Sequence, residues 1–217
     1  MPDVRMYLSS FRMGNHPELL LELAGKAAHV AVIVNAMDAA PDDVRQSAVL
    51  REVETLEQLG FDAEELDLRD YFRDSDRLTA DLRQYEIAWL RGGNSFMLRY
   101  ALAKSGADIA LRTELESDAI VYAGYSAGAC VLAPSLVGLE LVDQPHDVEA
   151  HYGEPPIWDG LGVLPYAFVP HYRSPGHPET EAVNEVVRLY EARGIPFKAF
   201  RDGQVLVVRG NEAEVLA

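Results

Sequence analysis

Apolar runs alternating with amphipathic stretches predict an α/β protein, a three-layer sandwich around a mostly parallel sheet. Three observations carry this expectation. Val30–Val34 and Ile120–Gly124 are continuous apolar runs of strand length, as in parallel strands covered on both faces. Stretches with helical spacing separate such runs along the chain. The 217 residues suffice for one sizeable core, so a single domain over residues 1–217 is expected, with no internal repeat or linker.

In chain order, Val4–Leu8 reads as the first strand. Pro17–Lys26 has helical spacing, with proline at its start. Val30–Val34 is the second strand, Asp42–Leu59 a helix with Gly60 as its stop, and Ala63–Leu68 a third strand. The charged stretch Asp70–Gln84 reads as a short helix or loop. Ile87–Leu90 is a strand ending in Arg91-Gly92-Gly93-Asn94. Phe96–Ala103 and Ala107–Glu116 are helical, Ile120–Gly124 is a strand, and Ala127–Leu132 is the helix behind it. Val137–Trp158 mixes acids, prolines and short β-like pieces, as in an inserted hairpin or loop over a sheet edge. Tyr166–Pro170 is a strand with His171 at its end, expected parallel to the strand before Ser126. Glu179–Arg193 is an amphipathic helix closed by Gly194. Phe197–Phe200 and Gln204–Val208 are short strands around Arg201-Asp202-Gly203.

Composition narrows the function. The net charge of −16 lacks the basic surface that nucleic acid demands. No apolar run reaches the ~20 residues of a membrane span. Met1–Arg5 lacks the basic and apolar regions of a signal peptide, and Cys130 is the single cysteine. The expectation is a cytoplasmic protein without nucleic-acid or membrane partners. A homodimer through the region near Trp158 is compatible with the sequence.

The chemistry centres on Gly124-Tyr125-Ser126-Ala127-Gly128. An apolar strand leads in and small residues lead out, as a nucleophile elbow requires, because its strained turn leaves no room for side chains beside the serine. A plain helix N-cap is the competing reading of Ser126. The elbow aims the Ala127 N–H at a developing oxyanion. Serine also needs a base. Of six histidines, His16 and His29 precede the elbow, and His146 and His151 lie in the acidic inserted region. His171 ends a strand and is the first candidate, with His177 second. Asp202 can orient the base, although Asp-Gly is also a common turn. Gly92 and Gly93 allow close backbone approach to a substrate, which makes the Gly93 N–H a second oxyanion donor and places Gly92 and Asn94 at the substrate. Cys130 reads as packing.

These residues resemble peptidase family S51, the aspartyl dipeptidase (peptidase E) group. The matching pieces are Leu8-Ser9-Ser10, Gly92-Gly93-Asn94-Ser95-Phe96, Gly124–Ala129, Pro170-His171-Tyr172 and Arg201-Asp202-Gly203, in order over nearly the whole chain. The resemblance implies a fold related to the class I glutamine amidotransferases, with serine in place of their cysteine. It implies a triad of Ser126, His171 and Asp202, a short peptide as substrate, and no metal or organic cofactor. One departure stands out. Where the family's substrate-holding arginine is expected, this chain has Glu181, within His177-Pro178-Glu179-Thr180-Glu181. Arg173, nearest the base, becomes the expected substrate cation, ahead of Arg12 and Arg91. Three other readings stay open: a cyanophycinase-like or carboxypeptidase-like specificity, an esterase whose acid is Asp143, Asp147 or Asp159, and a non-catalytic binding homologue.

Overall fold

The computed structural model describes residues 4–25 and 28–217. The end of the predicted first helix at Lys26 and the leader reading of Met1–Asp3 fall outside them.

The elements in chain order are β1 (Arg5–Ser9), α1 (Glu18–Ala24), β2 (His29–Ile33), α2 (Asp42–Gln58), β3 (Asp62–Glu65), α3 (Ser75–Leu82), β4 (Ile87–Leu90), α4 (Ser95–Ser105), α5 (Ala107–Glu116), β5 (Val121–Tyr125), α6 (Ala127–Cys130), α7 (His146–Tyr152), β6 (Ala167–Val169), α8 (Thr180–Arg193), β7 (Phe197–Ala199), β8 (Val205–Arg209) and β9 (Glu212–Leu216). Seven strands form the main sheet in the order β3-β2-β4-β5-β1-β8-β9. The first five in that order run parallel, and β8 and β9 continue the sheet antiparallel. Strands β4 and β5 are buried at every residue, which is why their sequences are continuous apolar runs. Two large apolar clusters, one containing Leu8, Ile33, Leu90 and Tyr122, the other Tyr7, Val32, Trp89 and Ala123, cover its two faces. Alternate residues of one strand feed opposite clusters, as the pleat requires. This is the predicted three-layer α/β architecture. Among the described residues no helix is long and apolar enough to cross a membrane.

Four expectations are corrected. The strand before His171 does not join the main sheet. β6 pairs in parallel with β7 in a separate two-stranded sheet, so β7 and β8 do not form a hairpin around Asp202. The segment after Pro134 is helical where β-like pieces were expected, with a 3-10 turn at Leu139–Leu141 and α7. It packs on α4, behind a central strand, rather than over a sheet edge: Leu139 and Val148 meet Phe96, Met97 and Tyr100. The third strand stops at Glu65, and Leu68–Tyr71 is a 3-10 turn whose Asp67 side chain accepts from Arg69 N–H. Finally, β9 was not foreseen. Its residues are largely exposed, and its glutamates guard an open sheet edge at the expense of a strand-like pattern.

Candidate active site

Neighbouring strands β4, β5 and β1 deliver three segments to one place at their C-terminal ends: Gly92-Gly93, Ser126, and Ser9-Ser10. Ser126 sits at φ 50°, ψ −116°, outside the regions that side-chain-bearing residues favour. Such a backbone costs on the order of 1–3 kcal/mol and persists only where the surroundings enforce it. The enforcement is steric. A Cβ on Gly124 or Gly128 would lie 2.5 or 2.2 Å from the Leu90 carbonyl oxygen, and one on Gly92 would lie 2.9 Å from Ser126 Cβ. Gly128→Ala should therefore destabilise the protein by about 3 kcal/mol, because the obstruction is backbone rather than a movable side chain. A lowered urea midpoint checks this, and an unchanged midpoint would contradict the packing described.

The small sheet delivers the other two groups. β6 and β7 run parallel, so His171, two residues beyond β6, and Asp202, three beyond β7, emerge side by side. Phe200 N–H donates to Val169 O and Tyr172 N–H to Phe200 O, continuing the pairing past the strands. Phe168 and Phe200 stack with centroids 4.1 Å apart beneath. The result is a hydrogen-bonded line. His171 Nδ1 is 2.7 Å from Asp202 Oδ1, and His171 Nε2 is 3.1 Å from Ser126 Oγ. A carboxylate only accepts, so Nδ1 carries the proton, and Nε2 is left to accept from the serine hydroxyl. Ser10, unforeseen as a site residue although its segment carried the resemblance, ties the two arms together. Its hydroxyl donates to Asp202 Oδ1 at 2.9 Å and accepts the His171 N–H at 2.8 Å. Ser174 Oγ accepts the Asp202 N–H.

Burial lowers the pKa of His171 below its ordinary value of 6.5, against the pull of Asp202; nearby His177 adds to the lowering. The imidazole is therefore neutral at neutral pH, as a base must be. The Cys130 thiol is pushed well up by burial and is inert packing, as expected.

A cleft of about 280 Å³ opens over Ser126, bounded by Gly92, Gly93, Tyr125 and His171 and faced by Arg12, Arg51 and Arg91. Among the described residues, neither the Gly93 nor the Ala127 N–H has an intramolecular acceptor. Three sequence readings need correction here. Arg173 is not among the cleft residues: its guanidinium lies 4.8 Å over its own neighbour Tyr172. Asn94 is committed to the fold. Its oxygen caps α4 through the Phe96 and Met97 N–H groups, and its amide donates to Gln144 O and Asp147. Glu181 is exposed on α8 away from the cleft, and Glu179 is the acid that lines it. Arg51 was missed, since nothing in the pattern of α2 separates it from an ordinary solvated arginine.

His171, His177 and Glu179 place ligand-type atoms within 4.8 Å of one another. The two rings are stacked face to face, 3.7 Å apart and 4° from parallel, so their in-plane lone pairs run alongside rather than converge on a shared ion. Their shape is that of a stacked pair.

The chain is similar in sequence and in fold to known peptidases. Peptidase E of Streptomyces coelicolor is 33% identical over 152 residues, 68% of this chain and 58% of that protein. A probable alpha-aspartyl dipeptidase of Drosophila melanogaster is 27% identical over 223 residues, 97% of this chain and 85% of that protein. A solved structure from Listeria monocytogenes EGD-e, assigned to peptidase E, superposes with a TM-score of 0.78 at 22% identity and covers 99% of this chain and 98% of its own, which establishes a shared fold. The family model of peptidase family S51 matches residues 12–216, from the loop behind β1 to the end of β9, and this chain, a peptidase, belongs to that family.

Proposed function

We propose that the protein is a serine exopeptidase that hydrolyses dipeptides or short peptides through an acyl-enzyme on Ser126. The observation that carries this reading is the unbroken line from Ser126 Oγ through the His171 ring to Asp202. Ser126 Oγ attacks the scissile carbonyl while His171 Nε2 takes its proton. The Gly93 and Ala127 N–H groups stabilise the oxyanion, and Gly92, having no side chain, lets the substrate approach. The tetrahedral intermediate collapses, the C–N bond breaks, and His171 hands the proton to the leaving amine. Water, deprotonated by the same base, then hydrolyses the ester and restores the serine. Asp202 keeps the imidazole in the required tautomer and stabilises its charged form.

The small cleft favours a short peptide over a polypeptide. Arg12 and Arg51, in place of Arg173, would meet an acidic side chain, and Glu179 a free ammonium. A dipeptide panel tests the reading. Turnover of some unblocked dipeptides is expected, with acidic amino-terminal residues preferred and amino-terminal blocking abolishing it. Turnover of blocked peptides alone would favour a carboxypeptidase-like or cyanophycinase-like specificity instead.

The lowered pKa of His171 sets the pH profile. The base works when neutral, so kcat/KM should hold to below pH 6.5 and then fall about tenfold per pH unit. An acid limb centred above pH 6.5 would show that burial does not govern this histidine.

A further inference from the structure

Glu52, on α2, is far from the triad in sequence and is 6% exposed. It nevertheless touches both sides of the site. Tyr125 OH donates to its Oε1 at 2.7 Å, and Trp89 Nε1–H to its Oε2 at 2.9 Å. Arg91 Nε lies 3.2 Å from Oε1 as an ion pair without hydrogen-bond alignment. Tyr125 immediately precedes Ser126, and Arg91 immediately precedes Gly92. One carboxylate thus holds the residue before the elbow and the residue before the glycine pair.

Arg91 adds a second contact. Its Nη1–H donates to the Gly92 carbonyl at 2.5 Å. In a trans peptide the C=O and the following N–H point in opposite directions. Holding the Gly92 oxygen therefore fixes the direction of the Gly93 N–H. The linkage needs such a restraint, because a peptide between two glycines has no Cβ on either side to resist a flip. Gly93 stands at φ 146°, pressed against Ala36, and Asn94 N–H donates to Ala36 O. Arg91 N–H donates to Ile33 O on the other side, so the backbone is anchored at both ends of the pair, and the peptide between the two glycines is held through its oxygen by the Arg91 side chain.

We infer that Arg91 and Glu52 are positioning residues that lock the Gly92–Gly93 peptide with the Gly93 N–H presented to the oxyanion, Glu52 aligning Arg91 and Arg91 holding the Gly92 carbonyl. This rests on the reading of Ser126 as nucleophile. It also sets Arg91 apart from Arg12 and Arg51 as a candidate for the substrate's side-chain cation, since its Nε faces Glu52 and its Nη1 holds the Gly92 carbonyl.

The test compares Arg91→Met, Arg91→Lys and Glu52→Gln with the parent protein. Two readouts are taken: the second-order rate of phosphonylation by diisopropyl fluorophosphate, which carries no acidic group, and kcat and KM on an acidic and a neutral dipeptide. Loss of one oxyanion donor lowers rate by about 10²–10³. Arg91→Met should approach 10² in phosphonylation and in kcat on both dipeptides, with KM within twofold. Arg91→Lys should recover part of the loss, and Glu52→Gln should fall between. If Arg91→Met does not fold, the other two variants carry the same comparison. Unchanged phosphonylation with a raised KM confined to the acidic dipeptide would make Arg91 a substrate contact and overturn the inference, as would no change at all. A parent protein that is not phosphonylated would instead remove the Ser126 reading beneath it.

Discussion

Ser126→Ala should lower kcat to background, a loss of roughly 10⁵–10⁶, because removing the nucleophile of such a set costs about as much as removing all its members. The fold should survive. The Ser126 hydroxyl hydrogen-bonds His171, and alanine keeps the Cβ that fits beside Gly92. A second variant separates chemistry from backbone strain. Ser126→Gly should be equally inactive yet more stable than Ser126→Ala by about 1 kcal/mol, because glycine adopts the φ of 50° without penalty. Paired activity assays and thermal melts check both expectations. Residual turnover in either variant would place the chemistry elsewhere, and equal melts would show that the elbow is not strained.

Asp202→Asn should cost about 10⁴ in kcat at neutral pH while leaving substrate binding nearly intact. Asp202 Oδ1 accepts from both His171 Nδ1–H and the Ser10 hydroxyl. An amide can satisfy those donors only in one orientation, and it brings no negative charge to the imidazolium formed during acylation. The amide can also turn its NH₂ to the ring and trap the tautomer that cannot take the serine proton. Asp143→Asn makes the contrast. Asp143, whose pKa burial pushes up to about 6, accepts the Ser95 N–H at the start of α4. Asp147 contacts Asn94, and the Asp159 carbonyl accepts from Arg99. None of these is the acid bonded to the base, so the esterase arrangement, with its acid between serine and histidine, lacks its geometry. Measuring kcat for Asp202→Asn beside Asp143→Asn decides the point: a large loss belongs only to the first.

Much of this site could be read from the chain because its chemistry is local in sequence. A serine elbow needs small residues on either side, and those residues are adjacent letters. Gly124 and Gly128 exclude a Cβ because Leu90 O lies against them, so the reason was tertiary but the signature was local. The β4 and β5 strands were equally plain, being buried on both faces. What escaped was whatever depends on partners chosen in three dimensions. The strand before His171 has the apolar pattern of any short strand, and nothing in Tyr166–Pro170 says that it pairs with Phe197–Ala199 rather than with the main sheet. That pairing is what joins His171 to Asp202. Arg173 was favoured because it stands two residues from His171. At φ 49° it turns onto Tyr172 instead, and Arg51 from α2 reaches the cleft. Asn94 read as a substrate contact because it follows two glycines. Its strongest local tendency, capping a helix, was satisfied first. Nothing in the pattern of α2 separates Glu52 from the other acids of that helix; only the partners the fold brings to it, Tyr125, Trp89 and Arg91, distinguish it.

We propose that Ser126 forms the covalent intermediate with His171 as its base. Quenching turnover of an activated ester substrate at low pH and mapping the adduct by peptide mass spectrometry tests this. One acyl group per chain is expected, on the peptide carrying Gly124–Gly128 and assigned to Ser126, absent in Ser126→Ala and reduced in yield in His171→Gln. An acyl group on another residue, or full turnover without any trapped adduct in a burst experiment with a slow leaving step, would contradict it.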